Sequence, residues 1–155
     1  MVSINWCLKQ KNGLELVTAN KNMSESYLSM AEESVKVLSN VSESDIWTAT
    51  MSYYIYYYSL YALMQRIGVK CEIHSCSIEF MNEYLKEFYD AEDIKEFELA
   101  FIARIDLQYY SNRSVDKAII ENSRKNCKLF YVKTKDILSK LREEQIQKIR
   151  KALKA

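Results

Sequence analysis

Between Ile46 and Ile67 nothing interrupts the chain: there is no glycine, no proline and no basic residue before Arg66, yet residues 53–61, YYIYYYSLY, hold six tyrosines. Tyrosine favours strands, but a run of about twenty residues is several times the usual strand of about 5–6 residues, so length predicts a helix. The rest of the chain agrees, because proline is absent and glycine occurs only at positions 13 and 68, too few for a fold built on tight turns. The expected fold class is all-α, an up-and-down antiparallel helical bundle of about five helices. On the helical wheel Tyr53, Tyr57, Leu60, Met64 and Ile67 form one stripe, with Tyr54, Tyr58 and Tyr61 beside it. A helix apolar nearly all round belongs at the centre of a bundle. Ser52, Ser59, Gln65 and Arg66 suit it poorly to lipid, so no membrane span is expected. A base-stacking platform would want a basic groove, which the run lacks, and the tyrosines read as core and dimer interface.

Four further helices flank this one. In "NKNMSESYLSMAEESVKVLSN" Asn22 precedes Glu25 by three residues, a capping-box start, and Tyr27, Met30, Ala31, Val35 and Leu38 follow at helical spacing. Ser42 and Asp45 mark the start of the tyrosine helix in the same way, and Gly68 supplies its stop. "HSCSIEFMNEYLKEF" is a shorter third helix with Ile78, Met81 and Leu85 on one face. A fourth is opened by Asp90 and Asp93 and turns Ile94, Phe97, Phe101, Ala103 and Ile105 inward. The fifth carries Ile119, Ile120, Cys127, Phe130, Thr134, Ile137 and Leu141, with the pattern resuming at Ile146, Ile149 and Leu153. One domain is expected over 1–155: a core at about 22–141, an arm over 1–21 and an extended C-terminal helix over 142–155. Lys148, Arg150, Lys151 and Lys154 read as a frayed, solvated helix end, the alternative being a contact with RNA or a partner's acidic face.

Charge is balanced, 22 Lys+Arg against 21 Asp+Glu, so bulk electrostatics draws the chain neither to nucleic acid nor away from it. The start "MVSINWCLKQ" resembles no secretory leader, and a cytoplasmic location is expected. Cys71, Cys76 and Cys127 with the sole histidine, His74, are in principle a zinc ligand set, but "CEIHSC" lacks the spacing of paired zinc knuckles, and small buried thiols are the simpler reading. No metal or cofactor is expected, and in a reducing compartment no disulfide.

Two words, together with the spacing into a long fifth helix, carry a family likeness. "YYSLYALMQRIGVKCEIHS" is an aromatic-rich helix ending in a glycine turn and then a His-Ser that opens the next helix; "ARIDLQYY" places an arginine a few residues before a tyrosine pair. Over about residues 22–141 the chain resembles the HEPN superfamily in its small stand-alone prokaryotic branch. The resemblance implies a bundle that dimerises, often beside a minimal nucleotidyltransferase in a toxin–antitoxin pair. In active relatives it implies a metal-independent endoribonuclease, with an arginine on the scissile phosphate and a histidine four to six residues later as base.

Arg104 is the motif arginine, but Tyr109, Tyr110 and Ser111 fill the window where the histidine would stand. A phenol of pKa about 10 is ionised to only ~0.1% at pH 7, against an imidazole poised near 6.5. Robust ribonuclease activity is therefore not expected. His74 is separated from Arg66 by seven residues and the Gly68 turn, outside the motif spacing, and is expected to cap or pack the start of the third helix. Arg104, Asp106, Tyr109 and Tyr110 are the candidate nucleotide- or RNA-binding set, with Arg104, Tyr109 and Tyr110 in the catalytic positions of the motif. The alternative for the same residues is an Arg–Asp network steadying a helix end. Three functions follow: a homodimeric binding module working with a nucleotidyltransferase, an endoribonuclease using Arg104 with a base other than histidine, or a helical adaptor docking a protein through the fifth helix.

Overall fold

The structure is a computed structural model, and it describes residues 2–155. Its elements are α1 (Ile4–Lys9), β1 (Glu15–Leu16), α2 (Lys21–Leu38), a 3₁₀ turn (Ser39–Val41), α3 (Asp45–Ile67), β2 (Val69–Lys70), α4 (His74–Tyr84), α5 (Ala91–Tyr109), α6 (Lys117–Lys140) and α7 (Glu143–Lys154). The all-α class stands. Among the described residues there are seven helices rather than five, and one antiparallel strand pair in which Glu15 faces Lys70 and Leu16 faces Val69.

The tyrosine run is the central helix α3, which packs on α2, α5 and α6. Tyr53 and Tyr56 are fully buried, while Tyr54, Tyr57 and Tyr58 are half-buried. Tyr56 lies outside the predicted stripe, stacking on Phe97 at 5.1 Å and tilting against Phe130 at 4.9 Å. A helix with packing partners on nearly every side has no solvent face to write into its sequence, which is why the run is so uniformly apolar. Gly68 ends α3 with φ at +83°, a left-handed conformation that costs a side-chain-bearing residue energy, and its N–H donates to the Met64 and Gln65 carbonyls. No helix among the described residues is long and apolar enough to cross a membrane.

Helix starts differ in detail from expectation. Asn20, not Asn22, caps α2, its Oδ1 accepting from Met23 N, and Ser44, not Ser42, caps α3 by accepting from Trp47 N. The fourth helix does open at Asp90 and Asp93, which form a capping box. The long fifth helix is in fact two. The chain is extended at Leu141 and Arg142, Gln145 Oε1 accepts from Arg142 N, and α7 then packs on α3 and α4. The sequence carries a sign of the break: from Leu141 to the next apolar residue, Ile146, is a step of five, which no continuous helical face allows.

Both chain ends are more than periphery. Cys7 and Leu14 of the arm are buried, as are Ile146, Ile149 and Leu153 of α7, so removing residues after Leu141 would strip apolar cover from the bundle. Nor is the basic end uniformly solvated. Lys148, Lys151 and Lys154 are exposed, but Arg150 reaches inward and its Nη1 donates to the carbonyls of Val17, Ile67 and Gly68.

Cys7 and Cys76 form a disulfide that ties α1 to α4, with Cα atoms 5.6 Å apart. This corrects the expectation of four thiols, and it divides the zinc set considered above: Cys76 is spent on Cys7, and His74 turns to Tyr53. Sequence alone could not pair these two, because nothing in a helical pattern says which helix ends meet. Cys71 and Cys127 remain buried thiols, the latter pushed up to about 12 mainly by burial.

Candidate functional site

Arg104 lies near the C-terminal end of α5 and points into the tyrosines of α3. Its guanidinium carbon sits 5.0 Å from the Tyr53 ring centre, 5.1 Å from Tyr54 and 5.6 Å from Tyr109. Nη2 donates to the hydroxyls of Tyr54 and Tyr109, each at 3.2 Å. The residue is only 8% exposed, its Nε is buried without a hydrogen-bond partner, and no carboxylate pairs with it among the described residues. A buried cation satisfied by neutral phenols alone is expensive to keep, because the loss of hydration is repaid only by an opposite charge or a full set of hydrogen bonds.

The four predicted site residues divide into two pairs. Tyr109 belongs with Arg104, lying over it while staying 64% exposed. Asp106 and Tyr110 belong instead with Arg113, whose Nη1 is 2.7 Å from Asp106 Oδ1 and whose guanidinium stacks 3.7 Å above the Tyr110 ring. The Arg–Asp network steadying the helix end therefore exists, but its arginine is Arg113. That residue follows the helix in a polar turn, where sequence gave no reason to single it out.

His74 joins the cluster from a third helix. As the first residue of α4 it stacks flat on Tyr57, with centroids 4.2 Å apart and planes within 4°. Its Nδ1 is hydrogen-bonded to the Tyr53 hydroxyl. The packing role expected of it at the helix start is thus observed. Burial, with a smaller contribution from Arg104, lowers its pKa, so the imidazole is neutral at physiological pH. Burial pushes the Tyr53 phenol far up, leaving it a proton donor. The neutral phenol and the neutral imidazole share one hydrogen bond, whose donor is set by the ring tautomer.

The assembly is a cation, three phenols and a neutral imidazole, drawn from α3, α4 and α5. Chemically it offers one permanent positive charge with unused hydrogen-bonding capacity, aromatic faces beside it, and a neutral imidazole. Sequence reasoning found Arg104 and Tyr109 by motif and missed Tyr53, Tyr54 and His74 as site members. It assigned those tyrosines to the core, and the spacing test applied to His74 looked along the chain rather than across helices.

No protein-family model and no curated protein sequence matches the chain.

Proposed function

We propose that the chain is a HEPN-type domain that binds RNA or a nucleotide through Arg104, acting as a homodimeric module beside a minimal nucleotidyltransferase, with its ribonuclease motif degenerate. The observation that carries this reading is the Arg104 guanidinium, nearly buried and without a carboxylate. A phosphate oxygen is the ligand that such a group lacks, since guanidinium and phosphate form short charge-assisted hydrogen bonds of matched geometry. Tyr109 supports it: its hydroxyl bonds to Nη2 can be exchanged for a phosphate oxygen, and its exposed ring is free to stack on a base.

A second reading has its own observation. His74 and Arg104 both contact Tyr53, the histidine by a hydrogen bond to its hydroxyl and the guanidinium 5.0 Å from its ring centre, so an imidazole does stand near the motif arginine, though it comes from another helix. An endoribonuclease would then use Arg104 on the phosphate and His74 for proton transfer. Against it, His74 is half-buried, with Nδ1 already engaged by the Tyr53 hydroxyl and its ring stacked flat on Tyr57.

The test is fluorescence anisotropy with a labelled single-stranded RNA, alongside a cleavage time course in EDTA, for wild type, Arg104→Met and His74→Gln. The expected result is binding without cleavage, lost in Arg104→Met. Cleavage lost in both variants would establish the enzyme reading. Wild type that neither binds nor cuts, or binding unchanged in Arg104→Met, would remove the site. Light scattering on the purified protein decides the homodimer, and adenylylation of Tyr109 or Tyr110 on co-incubation with a minimal nucleotidyltransferase tests the pairing.

A further inference from the structure

A second set of polar groups lies between α5 and α6, away from Arg104. A half-enclosed cleft of about 170 Å³ is lined by Glu92, Asp93 and Glu96 on α5, by Asn126, Leu129, Phe130 and Lys133 on α6, and at its base by Tyr56 of α3. Tyr56 is 1% exposed, and its hydroxyl has no hydrogen-bond partner. An unpaired buried hydroxyl costs free energy that an apolar side chain in its place would avoid. Its position on a cleft wall makes it a group waiting for a partner.

The charges around it do not balance. Lys133 is paired with Asp93 and lies 3.7 Å from Asp90, so its charge is already answered twice. Glu96 accepts from the neutral Asn126 amide at 3.1 Å, and neither Glu96 nor Glu92 has a cationic partner among the described residues. Burial raises the Tyr56 pKa, and Cys127, Glu96 and Asp93 raise it further. The phenol is therefore neutral and under a net negative field, with lone pairs to offer. A bare metal ion is a poor match, because no three His, Cys, Asp or Glu side chains among the described residues converge to hold one.

We infer that this cleft binds a small organic cation, an alkylammonium group whose N–H bonds go to the Tyr56 hydroxyl and Glu96 while its alkyl chain lies against Leu129 and Phe130. Carboxylates, an acceptor hydroxyl and an aromatic wall are together the environment that an ammonium prefers over a neutral alcohol of the same shape. The site is independent of Arg104.

The test is calorimetric titration and thermal unfolding of the full chain with n-butylammonium chloride, with 1-butanol as the neutral match and sodium chloride as the ionic-strength match. A saturable rise in Tm with the ammonium, absent with the other two, is expected. Tyr56→Phe should weaken the affinity about tenfold, the loss of one charge-assisted hydrogen bond, while leaving the ligand-free protein as stable as wild type or more so. Glu96→Gln should weaken it similarly, and it carries the test if Tyr56→Phe fails to fold. Tighter binding of Nα-acetyl-lysine amide than of butylammonium would identify the source as a lysine presented by a polypeptide; the reverse order would identify a free amine. No saturable response, an equal response to 1-butanol, or unchanged affinity in both variants would overturn the inference.

Discussion

Arg150 Nη1 lies 2.8 Å from the carbonyl oxygen of Gly68, eighty-two residues earlier in the chain. The same nitrogen is 2.9 Å from Val17 O and 3.0 Å from Ile67 O, so one side chain joins the arm, the end of α3 and α7. A Cβ on Gly68 would stand 2.2 Å from that nitrogen and 2.6 Å from Val17 O. Both residues are required for one geometry. Arg150→Met should cost about 2–3 kcal/mol, since it removes the charged donor from the Val17 and Ile67 carbonyls and leaves Gly68 O with its bond from Val17 N alone. Gly68→Ala should cost at least as much, from left-handed backbone and collision together. Urea unfolding measures both, and a midpoint unmoved by either substitution would show that the junction is held by something else.

Arg104 should behave in the opposite way. Its buried charge has no carboxylate to balance it, and replacing such a group with an apolar side chain of similar length is often neutral or stabilising. Arg104→Met is expected to unfold within about 1 kcal/mol of wild type, or above it, while losing the RNA binding proposed for wild type. A loss above about 3 kcal/mol would mean that the tyrosine hydroxyls already compensate the charge. The guanidinium would then be part of the framework, and the case for an anion would lose its basis.

The His74 environment makes stability depend on pH. Its folded pKa lies below the ordinary 6.5, because burial and then Arg104 disfavour the charged form. Between the two values the unfolded chain holds the proton more tightly, so stability falls as pH drops. The contribution is complete above about pH 6.5 and is lost progressively on acidification below it. Thermal unfolding of wild type against His74→Gln between pH 7.5 and about pH 5 isolates the effect. The variant should show the shallower slope, and parallel slopes would place the imidazole in a water-like setting.

Reduction should loosen the protein. The Cys7–Cys76 bond closes a loop with a sequence separation of 69, worth up to about 4 kcal/mol through the chain entropy it removes from the unfolded state. Unfolding with and without a strong reductant, and of the Cys7→Ser and Cys76→Ser double variant, gives the number. Superimposable curves would mean that the two thiols are not joined in solution.

The parts of this structure that repeat along the chain were legible in its sequence. Helix α3, the Gly68 stop and the helix start at Asp90 and Asp93 follow from local spacing, which a linear reading measures well; of the residues expected inward on α5, Phe97 and Ala103 are buried, while Ile94, Phe101 and Ile105 are only half-buried. What eluded it depends on distant residues meeting. The Cys7–Cys76 pair, the insertion of Arg150 and the approach of His74 to Tyr53 each join elements far apart in sequence. The site was half legible for the same reason: Arg104 and Tyr109 share a helix end and a motif, whereas Tyr54 reaches Arg104 across fifty residues. Asp106 and Tyr110 were placed correctly on the same helix end, yet pair with Arg113, because an arginine in the turn is nearer to them than one buried in the bundle.

The bond between Cys7 and Cys76 also changes what a break in the chain means. It makes a covalent ring of α1, α2, α3 and the start of α4, and the exposed turn around Ser39 to Ser44 lies on that ring. A protease that nicks the turn opens the ring without dividing the molecule. On a denaturing gel the nicked protein should migrate as a single species until a thiol reagent is added, and only then resolve into two fragments.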